Sequence, residues 1–311
     1  MTNLNLLILV TEDDSSGLSH FFQDLANLSE ITKYDNINCH ILYYSLKNHG
    51  NYYFNINKSR GHHMQVVPKL NMDPKEYMDL ACQFLTDYYD PHSINAFVFS
   101  SHCWNFFIRP FRKNIDSLPM VQHMEKQKMK FKFILFDCCN TSCIETIFMW
   151  KSVTDYIIGC QSSCPSIGFL TQDLSKLLHS NDSWETILKK ITVAFLKRND
   201  EHTIKRDLYE TDCVLLTTKY ADEIPKLFNN QVFYRDQNAR TQPTPKERTI
   251  FDLVTLLESQ TEVTHCKEIV KWVKKTVLSY KQSKLMQTKP WAHKLHGISI
   301  ILNREKVVKK F

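Results

Sequence analysis

The chain has 311 residues, 43% of them hydrophobic and 23% charged, a composition that supports a sizeable globular core and excludes a disordered or fibrous protein. Its formal charge of +6 is spread out, and the densest basic stretches, Lys126 to Lys132 and Arg304 to Lys310, read as solvated faces and a tail, so nucleic acid is not an expected partner. No apolar run reaches membrane-spanning length, the first ten residues carry no basic leader, and ten cysteines without an export signal point to free thiols in a reducing, cytoplasmic setting.

Leu4 to Val10 is an almost continuous apolar run, the pattern of a strand covered on both faces. Asp14, Ser15 and Ser16 supply capping side chains ahead of Leu18, Phe21, Phe22, Leu25 and Leu28, whose spacing marks one face of a helix. Ile37 to Tyr44 is a second strand, and the polar stretch from Lys47 to Lys69 predicts a long hairpin or loop. Asp73-Pro74 opens a helix with a buried stripe of Tyr77, Leu80, Ala81, Phe84, Leu85 and Tyr88. A third strand, Ile94 to Phe99, leads to His102, and a basic connection leads to a fourth, Phe131 to Phe136, which runs into Asp137, Cys138 and Cys139.

A helix burying Ile144, Ile147 and Phe148 comes next, then a fifth strand, Tyr156 to Gly159, and a loop with Pro165 and Gly168. Helices follow around Leu170 to Leu178 and from Asp182, where Glu185 is placed for a capping box, and Cys213 to Thr217 is a sixth strand. Asn229 to Pro243 reads as a linker, Thr244 to Leu257 and Cys266 to Tyr280 as helices, and Ile298 to Leu302 as a final strand. The alternation predicts an α/β fold: a mainly parallel six-stranded sheet flanked by helices, with a C-terminal helical extension and a late strand. The expected division is a domain over 1–228, a linker over 229–243, and a helical subdomain over 244–311 whose last strand packs on the core.

The stretch that carries chemistry is Ile134-Leu-Phe-Asp-Cys-Cys-Asn. Side chains at the carboxyl end of a buried strand face the crevice where open α/β sheets bind ligands, and a helix beginning there would favour a thiolate. His102, at the end of the neighbouring strand, supplies a base, so Cys139 and His102 form a candidate nucleophile and base pair. Cys138 reads as core packing. His40, His62, His63, His265, His293 and His296 show no partner in the sequence.

In order and in residues at the element ends, the chain resembles the clostripain-like cysteine peptidases, which share the caspase fold. The matches are Val10 to Ile31, Asn71-Met-Asp-Pro74, Ser100-Ser-His-Cys103 for Trp-Asp-His-Gly, and Phe136-Asp-Cys-Cys139 with Glu145 for Phe-Asp-Ala-Cys followed by Glu. Thr154-Asp-Tyr through Pro165 stands for Ala-Asp-Tyr and a Ser-Glu-Glu-Thr-x-Pro-Gly loop, and Gly297-Ile-Ser-Ile-Ile301 for Gly-Leu-Ser-Ile-Tyr. The resemblance implies an endopeptidase with Cys139 as nucleophile, His102 as base, and the N–H groups of Cys103 and Cys139 holding the oxyanion. It also implies that Asp137, with Ser163 nearby, lines the pocket for the residue before the cut bond, and hence protein or peptide substrates cut after Arg or Lys.

Three departures bear on activity: Cys103 stands where the family has Gly, Ser101 where it has Asp, and a second glycine that precedes the family's Trp is also gone. A catalytically impaired form that binds basic peptides is therefore the alternative expectation. A zinc site built from His102, Cys103, Cys139, Cys143, Cys160 and Cys164 is a rival chemistry, weakened because a helical Cys143 would point away. Calcium enters by resemblance only, without an EF-hand-like ligand run. The chain is expected to be a monomer, self-processed within the basic connection that carries Arg109, Arg112, Lys113, Lys126, Lys128 and Lys130.

Overall fold

The apolar runs become strands of one sheet in the computed structural model, which describes residues 3–12, 25–45, 51–59, 61–67, 74–101, 103–104, 107–108, 115–162, 164, 169, 174–203, 210–234, 249–260, 263–290, 292–302 and 306–308. The strands are β1 (Leu4–Glu12), β2 (Ile37–Ser45), β3 (Asn51–Asn57), β4 (Gly61–Val67), β5 (Ile94–Ser100), β6 (Cys103–Trp104), β7 (Phe107–Ile108), β8 (Ile115–Asp116), β9 (Phe131–Asp137), β10 (Thr154–Gly159), β11 (Asp212–Thr217), β12 (Val232–Tyr234), β13 (Thr249–Asp252), β14 (Val277–Gln282), β15 (Ser299–Leu302) and β16 (Lys306–Val308). The main helices are α1 (Pro74–Tyr88), α2 (Leu118–Lys126), α3 (Ile144–Trp150), α4 (Leu174–Leu178), α5 (Trp184–Thr203), α6 (Ile224–Phe228), α7 (Leu253–Glu258), α8 (Cys266–Thr276) and α9 (Lys284–Gln287).

Nine strands form the central sheet in the order β14-β11-β10-β9-β5-β1-β2-β3-β4. Its middle is parallel, from β10 through β9, β5 and β1 to β2, and the outer strands on both sides pair antiparallel. All six expected strands are present, and the largely apolar sequence of the middle ones has a direct cause, because both of their faces are covered. Leu7, Leu9, Phe97, Phe99 and Ile134 pack on one face with Tyr77, Ala81 and Phe84 of α1 and Ile147 of α3. Leu6, Ile8, Val98, Leu135 and Ile158 pack on the other with Leu188, Ile191 and Phe195 of α5. Each such side chain taken fully out of water contributes about 1.5–3 kcal/mol, which makes this two-sided core the main source of stability.

The stretch expected to be a hairpin or loop is a hairpin, β3 with β4, that extends the sheet. The fold differs from the sequence reading at three places. The helix expected through Tyr280 stops at Thr276, and Val277, Leu278 and Tyr280 continue as β14 beside β11. Residues 249–252, expected in a helix, pair as β13 with β15, and Asp252 then caps α7 by accepting the Thr255 N–H at 2.9 Å. The helix after Cys139 starts only at Ile144, because Asn140 takes a left-handed conformation (φ 56°) and Cys143 remains extended. The residues implied to match at Val10 to Ile31 and at Asn71 to Asp73 fall partly or wholly outside the described ones. Among the described residues no helix is long and apolar enough to cross a membrane.

Candidate active site

Strands β5 and β9 are parallel neighbours with Ser100 opposite Asp137, so the chain leaves both at the same sheet edge. The Ser101 N–H donates to the Asp137 carbonyl at 3.4 Å, which keeps the two exits together. His102 and Ser163 lie outside the described residues, as does the side chain of Cys103, whose backbone opens the small antiparallel sheet β6-β7-β8. Their expected roles therefore rest on the sequence.

Past β9 the chain stays beside the segment following β10. The Asn140 N–H donates to the Ser162 carbonyl at 2.8 Å and the Ser142 N–H to the Cys160 carbonyl at 3.0 Å. This approach requires a glycine at 159: a Cβ there would sit 2.3 Å from the Thr141 Oγ1. Strand alternation then separates the two thiols. Cys138 is 1% exposed, with its thiol 3.5 Å from the Phe99 carbonyl in the core, whereas Cys139 is half-buried on the other side.

Cys164 links the two groups that matter. Its backbone N–H donates to the Cys139 Sγ at 3.2 Å, and its thiol donates to the Asp137 Oδ1 at 3.2 Å. A donor aimed at the sulfur favours the thiolate over the thiol. Asp137 is 9% exposed, and its Oδ2 accepts from the Ser100 hydroxyl at 3.1 Å. Burial pushes the Asp137 carboxyl above its ordinary value, opposed by the Cys164 and Ser100 hydrogen bonds and by Arg198. Burial also pushes the Cys164 thiol well up, helped by Cys160, Asp137 and Cys139, so Cys164 stays protonated and acts as a donor.

A second buried layer holds the 160–164 segment. The Gln161 N–H donates to the Asp212 Oδ1 at 2.7 Å, the Gln161 Nε2 to the Asp252 Oδ2 at 2.8 Å, and the Gly297 N–H to the Gln161 Oε1 at 3.0 Å. His296, which shows no partner in the sequence, is bonded to Asp252 through its own N–H (2.7 Å) and through Nδ1 (2.9 Å). The C-terminal segment also grips the turn after Cys139: the Ser142 hydroxyl donates to the Gly297 carbonyl, and the Ser299 N–H to the Ser142 carbonyl at 3.0 Å. Gly297 has φ 85° and lies 3.1 Å from the Tyr280 ring at its would-be Cβ, which accounts for the glycine of that motif.

Cys143, in the zinc alternative, turns its thiol to the Thr146 hydroxyl at 3.1 Å, inside the core. Among the described residues no three His, Cys, Asp or Glu side chains converge as metal donors. Calcium rests on the resemblance alone, and no step below runs through an ion.

An inactive zymogen C11 protease from Parabacteroides distasonis matches with a TM-score of 0.70 at 17% identity, covering 100% of this chain and 93% of that one. A secreted C11 cysteine protease from Bacteroides thetaiotaomicron, in complex with an irreversible peptide inhibitor, matches with a TM-score of 0.73 at 14% identity, covering 97% and 93%. The chain has the fold of the C11 cysteine proteases. No family model and no curated protein matches the sequence, so the likeness lies in the path of the chain. The caspase-like architecture expected from six short motifs is thereby established over the full length, while the roles of individual residues remain matters of chemistry.

Proposed function

We propose that the protein is a cysteine endopeptidase that cuts peptide bonds after arginine or lysine. The observation that carries this reading is a half-exposed thiol, Cys139, held beside the buried carboxyl group of Asp137 at the sheet edge of a fold shared with cysteine proteases. His102 takes the proton of Cys139, and the thiolate attacks the scissile carbonyl carbon. The N–H groups of Cys103 and Cys139 hold the oxyanion, and His102 returns the proton to the leaving amine. Water, deprotonated by His102, then hydrolyses the acyl-enzyme.

Asp137, with the Ser163 hydroxyl, receives the cation of the residue before the cut bond. A substrate guanidinium or ammonium replaces the Cys164 thiol at the Asp137 Oδ1, exchanging a weak neutral donor for a charge-assisted one. Substrates are proteins or peptides. Lys126 and Lys128, exposed at the end of α2, offer the chain its own site for self-cutting. All nine cysteines with described side chains are free thiols, which supports a reducing compartment.

A second reading keeps the pocket and loses the chemistry. Cys103 in the place of glycine favours it: a Cβ there misaligns the N–H wherever the backbone needs a positive φ, and an oxyanion donor so lost costs about 100-fold or more in rate. So does the closure of Asp137 under Cys164. The two separate on covalent labelling with an Arg-terminated peptidyl acyloxymethyl ketone followed by peptide mass spectrometry. The peptidase reading expects one adduct, on Cys139, absent in Cys139→Ala. Tight binding without an adduct selects the second reading, and an adduct on a different cysteine overturns both.

A further inference from the structure

At the opposite edge of the sheet, around the amino ends of β1 and β2, lies a cavity of about 740 Å³. Its floor is one face of four adjacent strands, with Asn5 beside Asn38, and His40, Asn55 and His63 in one cross-strand row. The same face is apolar further along, at Leu7, Leu9 and Leu42, where α1 covers it. Beyond the end of α1 it changes to amides. Asparagine is a poor strand former, so several on one face of neighbouring strands need a reason other than folding.

The amides are locked to one another. The Asn57 Nδ2 donates to the Asn55 Oδ1 at 2.6 Å, the Asn55 Nδ2 to the Asn38 Oδ1 at 3.1 Å, and the Asn38 Nδ2 to the His40 Nε2 at 2.6 Å. The His40 Nδ1 lies 2.7 Å from the Tyr53 hydroxyl and 3.2 Å from the Asn55 Nδ2, which ties the ring into the same network. Burial pushes His40 down to about 4, so it is neutral at physiological pH. The rings of His40 and Tyr53 each stack on Tyr88, at 4.6 Å between centroids, which makes an aromatic wall beside the amide floor.

The charges do not suit an ion. Lys58 is paired with Asp35 at 2.8 Å, and Asp90 is bonded by the Ser93 hydroxyl and the His92 N–H. Among the described lining residues no lysine or arginine is left unpaired for a phosphate, and Asp35 and Asp90 do not converge for a metal. What the cavity presents is a rigid array of neutral groups that both donate and accept, next to aromatic faces. The matching ligand has many hydroxyls on a ring with apolar C–H faces, and the volume suits a small molecule. We infer that this cavity is a binding site for a neutral saccharide, either a free oligosaccharide or a glycan carried on a protein.

The test uses the full chain in saturation-transfer NMR and calorimetry with maltotriose, cellotriose and N-acetylchitotriose, a high-mannose glycopeptide, and adenosine as a flat heterocycle of similar polarity. At least one saccharide should bind with a millimolar or tighter Kd, weakened about tenfold or more in Gln65→Ala and Asn57→Ala. Gln65 is exposed, so its variant keeps the fold, and a thermal melt checks both. Preference for the trisaccharides or for the glycopeptide decides the source. Binding of none of the saccharides at 20 mM, affinity unchanged in both variants, or selective binding of adenosine overturns the assignment.

Discussion

Asp212→Asn should remove a large part of the pH dependence of stability. Asp212 is wholly buried at the start of β11, with Oδ1 accepting the N–H groups of Gln161 and Ser162 at 2.7 and 3.3 Å. Its Oδ2 has no hydrogen-bond partner among the described residues. Burial pushes the carboxyl from 3.8 up to about 7. A carboxyl raised on folding stabilises the native state fully at pH values below the unfolded pKa, where both states are protonated. That contribution is lost as pH climbs from about 4 to 7, and the loss amounts to about 4 kcal/mol. Asparagine keeps the Oδ1 acceptor and cannot ionise. Urea denaturation between pH 4 and pH 8, followed by the fluorescence of the buried Trp150 and Trp272, should show the stability of the wild type falling relative to the variant by several kcal/mol. Two curves that stay parallel within about 1 kcal/mol across that range would refute the reasoning, because Asp212 would then ionise as readily in the fold as outside it.

Two further outcomes follow from the geometry around Cys139. Gly159→Ala should cost about 1–3 kcal/mol by driving a methyl group into Thr141, and the double variant Gly159→Ala/Thr141→Ala should recover part of the loss in the same denaturation assay. Cys164→Ala keeps the N–H that faces the Cys139 sulfur and removes the thiol that covers Asp137, so kcat/KM for Arg substrates should rise about fivefold, mainly through KM; an unchanged KM would count against that covering role.

The sheet was legible where burial on both faces wrote continuous apolar runs, as in Leu4 to Val10 and Phe131 to Phe136. It was illegible where local pattern and long-range pairing disagree. Ile269, Trp272, Val273 and Thr276 set a helical rhythm that Tyr280 happens to continue, yet Val277 ends the helix and pairing with β11 takes the next residues. The stretch of β3 and β4 leaves hairpin and loop undecided in the sequence because one face of β3 carries Asn55 and Asn57 where a covered strand would carry apolar residues. At the site, the strand end and its Cys139 stand out from sequence alone, since a charged residue and two thiols interrupt an apolar run. The part played by Cys164 does not stand out, because its contacts depend on a turn 25 residues away. The Gln161, Asp252 and His296 cluster joins residues up to 135 positions apart, and no local signal foretells it.

The central claim is tested most directly by hydrolysis of fluorogenic peptides ending in Arg, Lys or Asp, with the wild type, Cys139→Ala and Asp137→Ala compared at equal fold content by circular dichroism. The account predicts release after Arg and Lys but not Asp, abolished in Cys139→Ala and weakened by about tenfold or more in Asp137→Ala, where a charge-assisted contact is lost. Turnover that survives Cys139→Ala, or cleavage after Arg indifferent to Asp137, would contradict it.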